Sequence, residues 1–206
     1  MKQYISLVIF VGILGFVTSL AFVGMDLLFS DRIDANENAA LYQAILSHND
    51  ASFTSSTMFD VFSSEIVVED FVVNGQDVKL YIDSQTNNIS FVFGIFSESG
   101  YIADIVGVLT IENDFKTIVD ITILQQGETP GLGGKVVLRE FLDQFVGLQF
   151  DDTQEFPIVV GPIEATANAA NEVDQISGAT NTSSSFQRIL TESYFIYRDL
   201  WESIGQ

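Results

Sequence analysis

The first apolar stretch of the chain runs from Gln3 to Met25, carries no charge and is rich in Ile, Leu, Val and Phe. At about 1.5 Å per residue, this length is enough to cross about 30 Å of hydrocarbon. We therefore expect one N-terminal transmembrane helix. No convincing small-residue cleavage site follows it, so we expect it to be retained, with an uncleaved signal sequence as the alternative.

Charges on either side of this stretch predict its orientation. Lys2 and the amino terminus lie before it, whereas Asp26, Asp31 and Asp34 outnumber Arg32 after it. The positive-inside rule then places the N-terminus in the cytoplasm and the remaining chain outside a cell membrane.

After the apolar stretch, the spacing of hydrophobic residues changes twice. A helical rhythm over Ile33–Ser47 predicts a juxtamembrane helix, and the polar segment Asn49–Thr57 predicts a connector. Alternation typical of strands begins near Ser64, and Asn74-Gly75 between two β-branched runs predicts a hairpin. We expect strands at Glu65–Val73, Val78–Ile82, Ile89–Phe96, Ile102–Ile111, Ile118–Gln125 and Phe156–Ile163.

Two further helices are expected in the second half of the chain. One begins near Val137 and closes at Gln144 to Gly147, and the other is an amphipathic C-terminal helix. The predicted fold class is α+β: a mostly antiparallel sheet with packing helices, preceded by one N-terminal transmembrane helix. We expect an anchor over residues 1–30, a juxtamembrane helix and connector over 31–63, and an extracytoplasmic domain over 64–206.

Composition narrows the chemistry that this domain can perform. The chain has no Cys, which excludes disulfides, thiolate metal sites, iron–sulfur clusters and covalent haem c attachment within it. His48 is the single His, so a His-rich metal site or a His-based triad is not expected. The net charge of −20 argues against nucleic-acid binding, which requires neutralisation of phosphates. Any redox chemistry would need an organic cofactor.

The segment Asp174-Gln175-Ile176-Ser177-Gly178-Ala179-Thr180 is the first candidate site. A Ser-Gly-Ala turn would present the Thr180 hydroxyl for modification. The alternative is a capped helix start with a solvated Asp174, which accounts for the Ser and the Thr but not for the whole seven-residue pattern.

The second candidate is the segment Gln126–Gly134, which we call the glycine loop. Four glycines and one proline in nine residues predict a tight, exposed backbone that a planar ring could approach closely. The alternative is an ordinary Gly-rich turn. A dinucleotide fingerprint is not supported, because the spacing differs and no βαβ unit surrounds the loop.

Taken together, the two motifs resemble those of a known protein family. The run Glu-Thr-Pro-Gly-Leu-Gly-Gly lies about fifty residues before Ser-Gly-Ala-Thr, behind an apolar N-terminal stretch. This arrangement resembles the covalent-FMN subunits of two ion-pumping redox complexes, the C subunit of the sodium-translocating NADH:quinone oxidoreductase (NQR) and the G subunit of the Rnf complex. The resemblance runs from about Phe93 to the C-terminus and leaves the choice between the two complexes open.

The resemblance implies roles for the residues of the first motif. Thr180 would carry one FMN through a phosphoester, and a helix starting at Asn181 would direct unsatisfied N–H groups toward the phosphate. Ser177 would hydrogen-bond the phosphate, while Gly178 and Ala179 keep the hydroxyl accessible. Asp174 would be recognised by a flavin transferase.

The resemblance also implies roles for the glycine loop. Leu132 would pack on the isoalloxazine ring, and Thr129 with the backbone at Gly131 and Gly133 would bind the polar edge of the ring. Glu128 would either contact the ribityl chain or the flavin, or hold the loop by hydrogen bonds to the backbone.

Several side chains near these motifs have ordinary interpretations that we prefer to a redox role. Lys135 is interpreted as a solvated cation in preference to one that tunes the flavin potential. Tyr194, Tyr197 and Trp201 are interpreted as core residues of the C-terminal helix in preference to an electron-relay path.

The expected function is therefore that of a membrane-anchored electron carrier, without a catalytic site or a metal of its own. The implied partners are membrane subunits with flavin or iron–sulfur centres, and a flavin transferase for maturation. One alternative is a free-standing, membrane-tethered FMN carrier that serves another extracytoplasmic reductase. Another is a non-redox anchored module whose glycine loop binds a ligand.

Overall fold

The computed structural model describes residues 10–20, 22–23, 38–95, 105–161 and 170–204. Two compact units divide the chain, Met1–Ala39 and Ala40–Gln206. In the first unit, residues 10–20 and 22–23 are helical and their apolar side chains are exposed. The Thr18 hydroxyl donates to the backbone oxygens of Leu14 and Gly15 within this helix.

The predicted membrane span overlaps this helix only in part. Residues 3–9, 21 and 24–25 of the predicted span lie outside the described residues. Among the residues that are described, no helix is both long enough and apolar enough to cross a membrane.

The second unit is built on a five-stranded antiparallel sheet with the strands in sequence order. The hairpin predicted at Asn74-Gly75 joins the first two strands. Every strand expected between Glu65 and Gln125 is present, although residues 94, 95 and 105 of the predicted strands are not in strands and residues 96–104 lie outside the described part. The strands are β1 (Ile66–Val73), β2 (Gln76–Asp83), β3 (Ile89–Phe93), β4 (Val106–Ile111) and β5 (Ile118–Gln125).

One face of the sheet is covered by the two helices that precede it. Helix α1 (Ala39–His48) overlaps the described part of the predicted juxtamembrane helix, whose residues 33–37 lie outside the described residues. Helix α2 (Met58–Glu65) follows the predicted connector. They bury a cluster against β1, β2 and β4 that includes Ile45, Phe62 and Val108. Helix α2 was not expected, because its eight residues are too few to show a clear helical period.

The predicted helix from Val137 to Gly147 is replaced by three short turns of helix. A 3-10 helix (Gly133–Val137) leads into α3 (Arg139–Leu142), and a second 3-10 helix (Asp143–Phe145) follows. Phe141 and Phe145 are buried and hold this segment on the core.

The strand expected at Phe156–Ile163 begins later, at Val159, and belongs to a separate two-stranded sheet; residues 162–163 lie outside the described part of the chain. Strand β6 (Val159–Gly161) pairs in parallel with β7 (Glu172–Asp174), which the sequence pattern did not predict. The three residues of β7 are too few to show the alternation of apolar and polar residues that is typical of a strand. The described secondary structure confirms the α+β class, with a mainly antiparallel sheet.

The C-terminal helix α4 (Thr180–Ser203) covers the other face of the five-stranded sheet. The Tyr197 ring stacks on Phe91 at 4.4 Å between centroids, and Phe186 meets Phe93 edge-on at 5.8 Å. Tyr194, Tyr197 and Trp201 are all buried in this core. The aromatic packing fixes the axis of α4 and therefore the place where its first turn begins.

His48, at the end of α1, is buried in a polar cluster against the sheet. Its Nδ1 lies 2.7 Å from the Thr110 hydroxyl and its Nε2 lies 2.8 Å from the Thr122 hydroxyl. The Asp120 carboxylate is 3.9 Å from Nε2 and also accepts a hydrogen bond from Arg139. Burial lowers the pKa of His48 from 6.5 to about 4, because Asp120 offsets only part of the cost of burying the cation.

We predict that His48 makes the fold less stable in mild acid. The unfolded chain takes up a proton near pH 6.5 and the folded chain only near pH 4, so the stabilisation is complete above pH 6.5 and is lost as the pH falls toward 4. The free energy of unfolding should drop by about 2 kcal/mol between pH 7 and pH 5. Urea unfolding followed by Trp201 fluorescence measures this, and His48→Gln should flatten the dependence in that window. An equal slope in the variant would contradict the assignment.

Candidate functional site

The two sequence motifs meet at one cavity of about 380 Å³ between the glycine loop and the start of α4. Glu128 and Thr182 are joined by a hydrogen bond across it, although they are 54 residues apart in sequence. The lining residues are Glu128, Thr129, Leu132, Gly133, Gly178, Ala179, Thr180, Asn181 and Thr182. Most side chains predicted for the site therefore share one surface.

Thr180 is the first residue of α4, one position earlier than expected, and its side chain is exposed. Ala179 precedes it as the N-cap residue, and its methyl group makes no capping hydrogen bond. The first N–H groups of a helix have no partner within it, and the helix dipole is positive at this end. The Thr180 hydroxyl therefore lies beside a helix end suited to an anion.

The turn before Thr180 is held by Ser183. The Ser183 hydroxyl accepts from the Ile176 N–H at 3.0 Å and donates to the Ala179 carbonyl at 3.1 Å. Gly178 has φ +78°, a left-handed conformation that costs an L-residue about 1–2 kcal/mol. The Ser-Gly-Ala turn thus has a fixed shape that leaves Thr180 in solvent.

The glycine loop is folded on itself by its own backbone. The Thr129 carbonyl accepts from the Leu132 N–H at 3.1 Å and from the Gly134 N–H at 3.0 Å. Gly131 between them has φ +79°, which again favours glycine. This turn leaves the Leu132 side chain 49 % exposed. Leu132 lies next to the other motif, since a Cβ at Gly178 would be 3.8 Å from its Cδ2.

Glu128 and Thr182 contact each other where the loop meets the helix. The Thr182 hydroxyl donates to Glu128 Oε2 at 2.9 Å, and a Cβ on Gly133 would overlap both groups. Thr182 was not among the residues expected in the site. Its spacing of four from Phe186 would have placed it on the buried face of α4, but no signal in the sequence connects it to Glu128.

Asp174 and Ser177 line a neighbouring cavity of about 580 Å³, with Lys135 and Gln144 among the other lining residues. Both Asp174 and Ser177 are exposed, and the Asp174 N–H donates to Gln144 Oε1 at 3.1 Å. The first half of the motif therefore faces a different cavity from Thr180. Ser177 does not line the cavity in which a phosphate on Thr180 would lie at the helix end.

Comparison with known proteins finds similar sequences over the region that contains this site. Residues 100–194 match the family model of the FMN-binding domain. The chain is 37 % identical over 109 residues to the C subunit of the Na(+)-translocating NADH-quinone reductase of Vibrio anguillarum. These aligned residues make up 52 % of this chain and 43 % of the relative. The same protein of Yersinia pestis is 34 % identical over 122 residues, covering 59 % and 42 %. The matched region is thus less than half the length of these relatives.

Solved structures share the fold. Crystal structures of NqrC from Shewanella oneidensis and of the corresponding reductase subunit from Parabacteroides distasonis align with TM-scores of 0.62 and 0.59. Their sequence identities are 20 % and 22 %, and they cover 78 % and 79 % of this chain and 93 % and 92 % of their own. The resemblance expected from the two motifs is confirmed: residues 100–194 match the FMN-binding domain, and the relatives described above are C subunits of the Na(+)-translocating NADH-quinone reductase.

We predict that the fold does not need the Leu132 side chain. Because Leu132 is half exposed, Leu132→Ala should lower the free energy of unfolding by less than about 1 kcal/mol. Phe186→Ala, at a fully buried position on α4, should lower it by about 3–5 kcal/mol. Urea unfolding of both variants checks this, and an equal loss would place Leu132 in the core.

Proposed function

We propose that this chain is a membrane-anchored electron-transfer subunit that carries one FMN, joined by a phosphoester to Thr180, in an ion-pumping oxidoreductase complex of the NQR or Rnf type. The observation that carries this proposal is the position of the exposed Thr180 on the same cavity as the glycine loop. The match of residues 100–194 to the FMN-binding domain supports it independently.

The chemistry of the site fits such a group. A phosphate on Thr180 would be adjacent to the N-terminus of the 24-residue helix α4, where backbone N–H groups and the helix dipole stabilise negative charge. Gly178, which lines the cavity, has no side chain that would occupy part of it. Asn181, whose side chain is exposed on the cavity, can donate a further hydrogen bond.

The glycine loop would form the bed for the flavin ring. Leu132 supplies an exposed apolar surface, and Thr129 supplies a hydroxyl and backbone groups on the same cavity. Bound FMN would supply reversible electron transfer, and the loop would set its potential by what it places next to the ring. Gly131 and Gly133 let the backbone approach closely.

The N-terminal stretch Gln3–Met25 is proposed as a single-pass anchor in the cell membrane, with the N-terminus in the cytoplasm and the flavin domain outside. A cofactor outside the cytoplasm is not readily replaced, so a covalent bond would prevent its loss. The stretch carries no charged residue, so it cannot form a carboxylate-lined ion path by itself. Ion pumping would belong to the assembled complex.

Partner subunits with flavin or iron–sulfur centres would deliver and remove electrons. A flavin transferase would attach the FMN, and Asp174 is proposed as part of its recognition sequence. Asp174 and Ser177 are exposed before Thr180, which leaves the segment accessible to such an enzyme.

The covalent bond predicts a change in protein mass. Chain coexpressed with a flavin transferase should gain the mass of one FMN less one water, and Thr180→Ala should lose that increment. Ser184→Ala, which removes another exposed hydroxyl from the first turns of α4, is the matched control and should keep it. Intact-mass spectrometry of the wild type and the two variants measures this increment. An unmodified wild-type mass would overturn the covalent carrier and favour the non-redox module.

Membership of a pump predicts stable association with other membrane proteins. When the chain is isolated from its native membrane in mild detergent, several polytopic subunits containing flavin or iron–sulfur centres should copurify. Washing at high salt serves as the control for loose ionic contacts, which salt screens. Isolation of the flavinylated chain alone would contradict the pump and favour the free-standing carrier.

A further inference from the structure

We propose that Thr182 is a positioning residue for the flavin site, because its hydroxyl ties the glycine loop to the first turn of α4 through Glu128. The inference rests on the proposed function, since the object positioned is the bed of the flavin ring. It assigns Glu128 to holding the loop, and it adds a residue that neither sequence motif contains.

The bond joins the two halves of the site directly. The Thr182 hydroxyl donates to Glu128 Oε2 at 2.9 Å. Thr182 is buried, with only 6 % of its surface exposed. A hydroxyl this well buried requires a partner, and a carboxylate oxygen is a strong one. Thr182 lies two positions after Thr180 on the same helix, so the bond fixes the loop relative to the turn that carries the anchor.

The contact between Glu128 and Thr182 fills the space beside Gly133. A Cβ built on Gly133 would overlap both the Glu128 carboxylate and the Thr182 hydroxyl. Any side chain at this position would therefore push the two groups apart. Gly133 is therefore needed to make room for the bond between Glu128 and Thr182, and not only to let a ring approach the loop.

The loop is held in shape by hydrogen bonds of its own. The Thr129 carbonyl accepts from two N–H groups of the loop, and the Glu128 N–H donates to Gln126 Oε1 at 2.6 Å. These bonds are all internal to the loop, whereas the bond to Thr182 connects it to the helix. If that bond were broken, Leu132 would lose its fixed position next to Gly178.

Thr182 and its neighbour Ser183 have different roles at the start of α4. Ser183 bonds to the Ile176 N–H and the Ala179 carbonyl, and so shapes the turn before Thr180. Thr182 acts instead on the bed for the ring. Loss of the Thr182 hydroxyl should therefore leave attachment at Thr180 intact and change the surroundings of the isoalloxazine.

The test compares Thr182→Val, which keeps the shape but removes the hydroxyl, with Thr182→Ser, which keeps the hydroxyl. Each full-length variant is flavinylated by a coexpressed transferase, and the loading is measured by intact mass. Visible circular dichroism and the midpoint potential of the bound flavin are then recorded. Thr191→Val is the matched control, because Thr191 is buried on the same helix and its hydroxyl bonds to the Gln187 carbonyl within that helix.

We expect Thr182→Val to be flavinylated as fully as the wild type, to lose most of the visible dichroism of the flavin and to shift its midpoint potential. Thr182→Ser should restore both signals, and Thr191→Val should leave both unchanged. Wild-type signals in Thr182→Val would overturn the proposal, as would failure of Thr182→Ser to restore them. An equal change in Thr191→Val would indicate a general effect on α4 and would also overturn it.

A second measurement separates this inference from the proposed function. In a Thr180→Ala background without flavin, the free energy of unfolding is measured for Thr182→Val, Glu128→Ala and the double variant. Because each change breaks the same bond, the double variant should be less destabilised than the sum of the two single variants. Additive effects would refute the bond, whereas an unflavinylated wild-type chain with non-additive effects would refute only the flavin function.

Discussion

Helix α4 packs along the five-stranded sheet through Phe186, Tyr194 and Tyr197, and this buried aromatic face fixes the helix along its length. Two of the three rings contact phenylalanines of β3 at distances typical of aromatic pairs. The first turn of the helix, which carries the site, therefore cannot shift without disturbing the core. The turn before it and the glycine loop both take their positions from this one element.

The polar residues at the start of α4 divide into two sets with different partners. Thr182 and Ser183 point inward, where one bonds the glycine loop and the other bonds the turn at Ile176–Ala179. Thr180 and Asn181 point outward onto the cavity. Helical geometry enforces this division, since residues two positions apart in sequence lie on nearly opposite sides of a helix. The same turn can thus be locked to the protein on one side and leave a hydroxyl accessible on the other.

The sequence predicted the central sheet well, because each of its strands carries either β-branched alternation or a continuous apolar run between turn residues. The Asn74-Gly75 turn and the bounds of β5 agree with the structure. The motifs of Thr180, Glu128 and Leu132 could be recognised because the residues of each motif are local in sequence, but it was the resemblance to a known family that placed them in one site. Contacts between segments could not be predicted in this way. Strand β7 exists only because β6 lies beside it, and the Thr182–Glu128 bond depends on how the loop meets the helix. From the sequence, His48 was considered only as a possible metal ligand or triad member, and neither role was expected. In the structure it holds α1 to the sheet through two threonines of β4 and β5.

The exposed residues of the site are those that the fold does not require. Leu132 is half exposed and the Thr180 side chain lies in solvent, whereas Gly133 and Thr182 are packed tightly into the contact between loop and helix. Exposing an apolar side chain at the tip of a rigid loop gains nothing for folding, since burial is what stabilises it. Such a residue gains stabilisation only when another apolar surface covers it. In the proposed carrier that surface is the flavin ring, tethered at Thr180, so the covalent bond fixes where the cofactor is attached and the loop determines what the ring touches. A potential set by the loop can then change through substitutions there while the attachment chemistry at the helix stays the same.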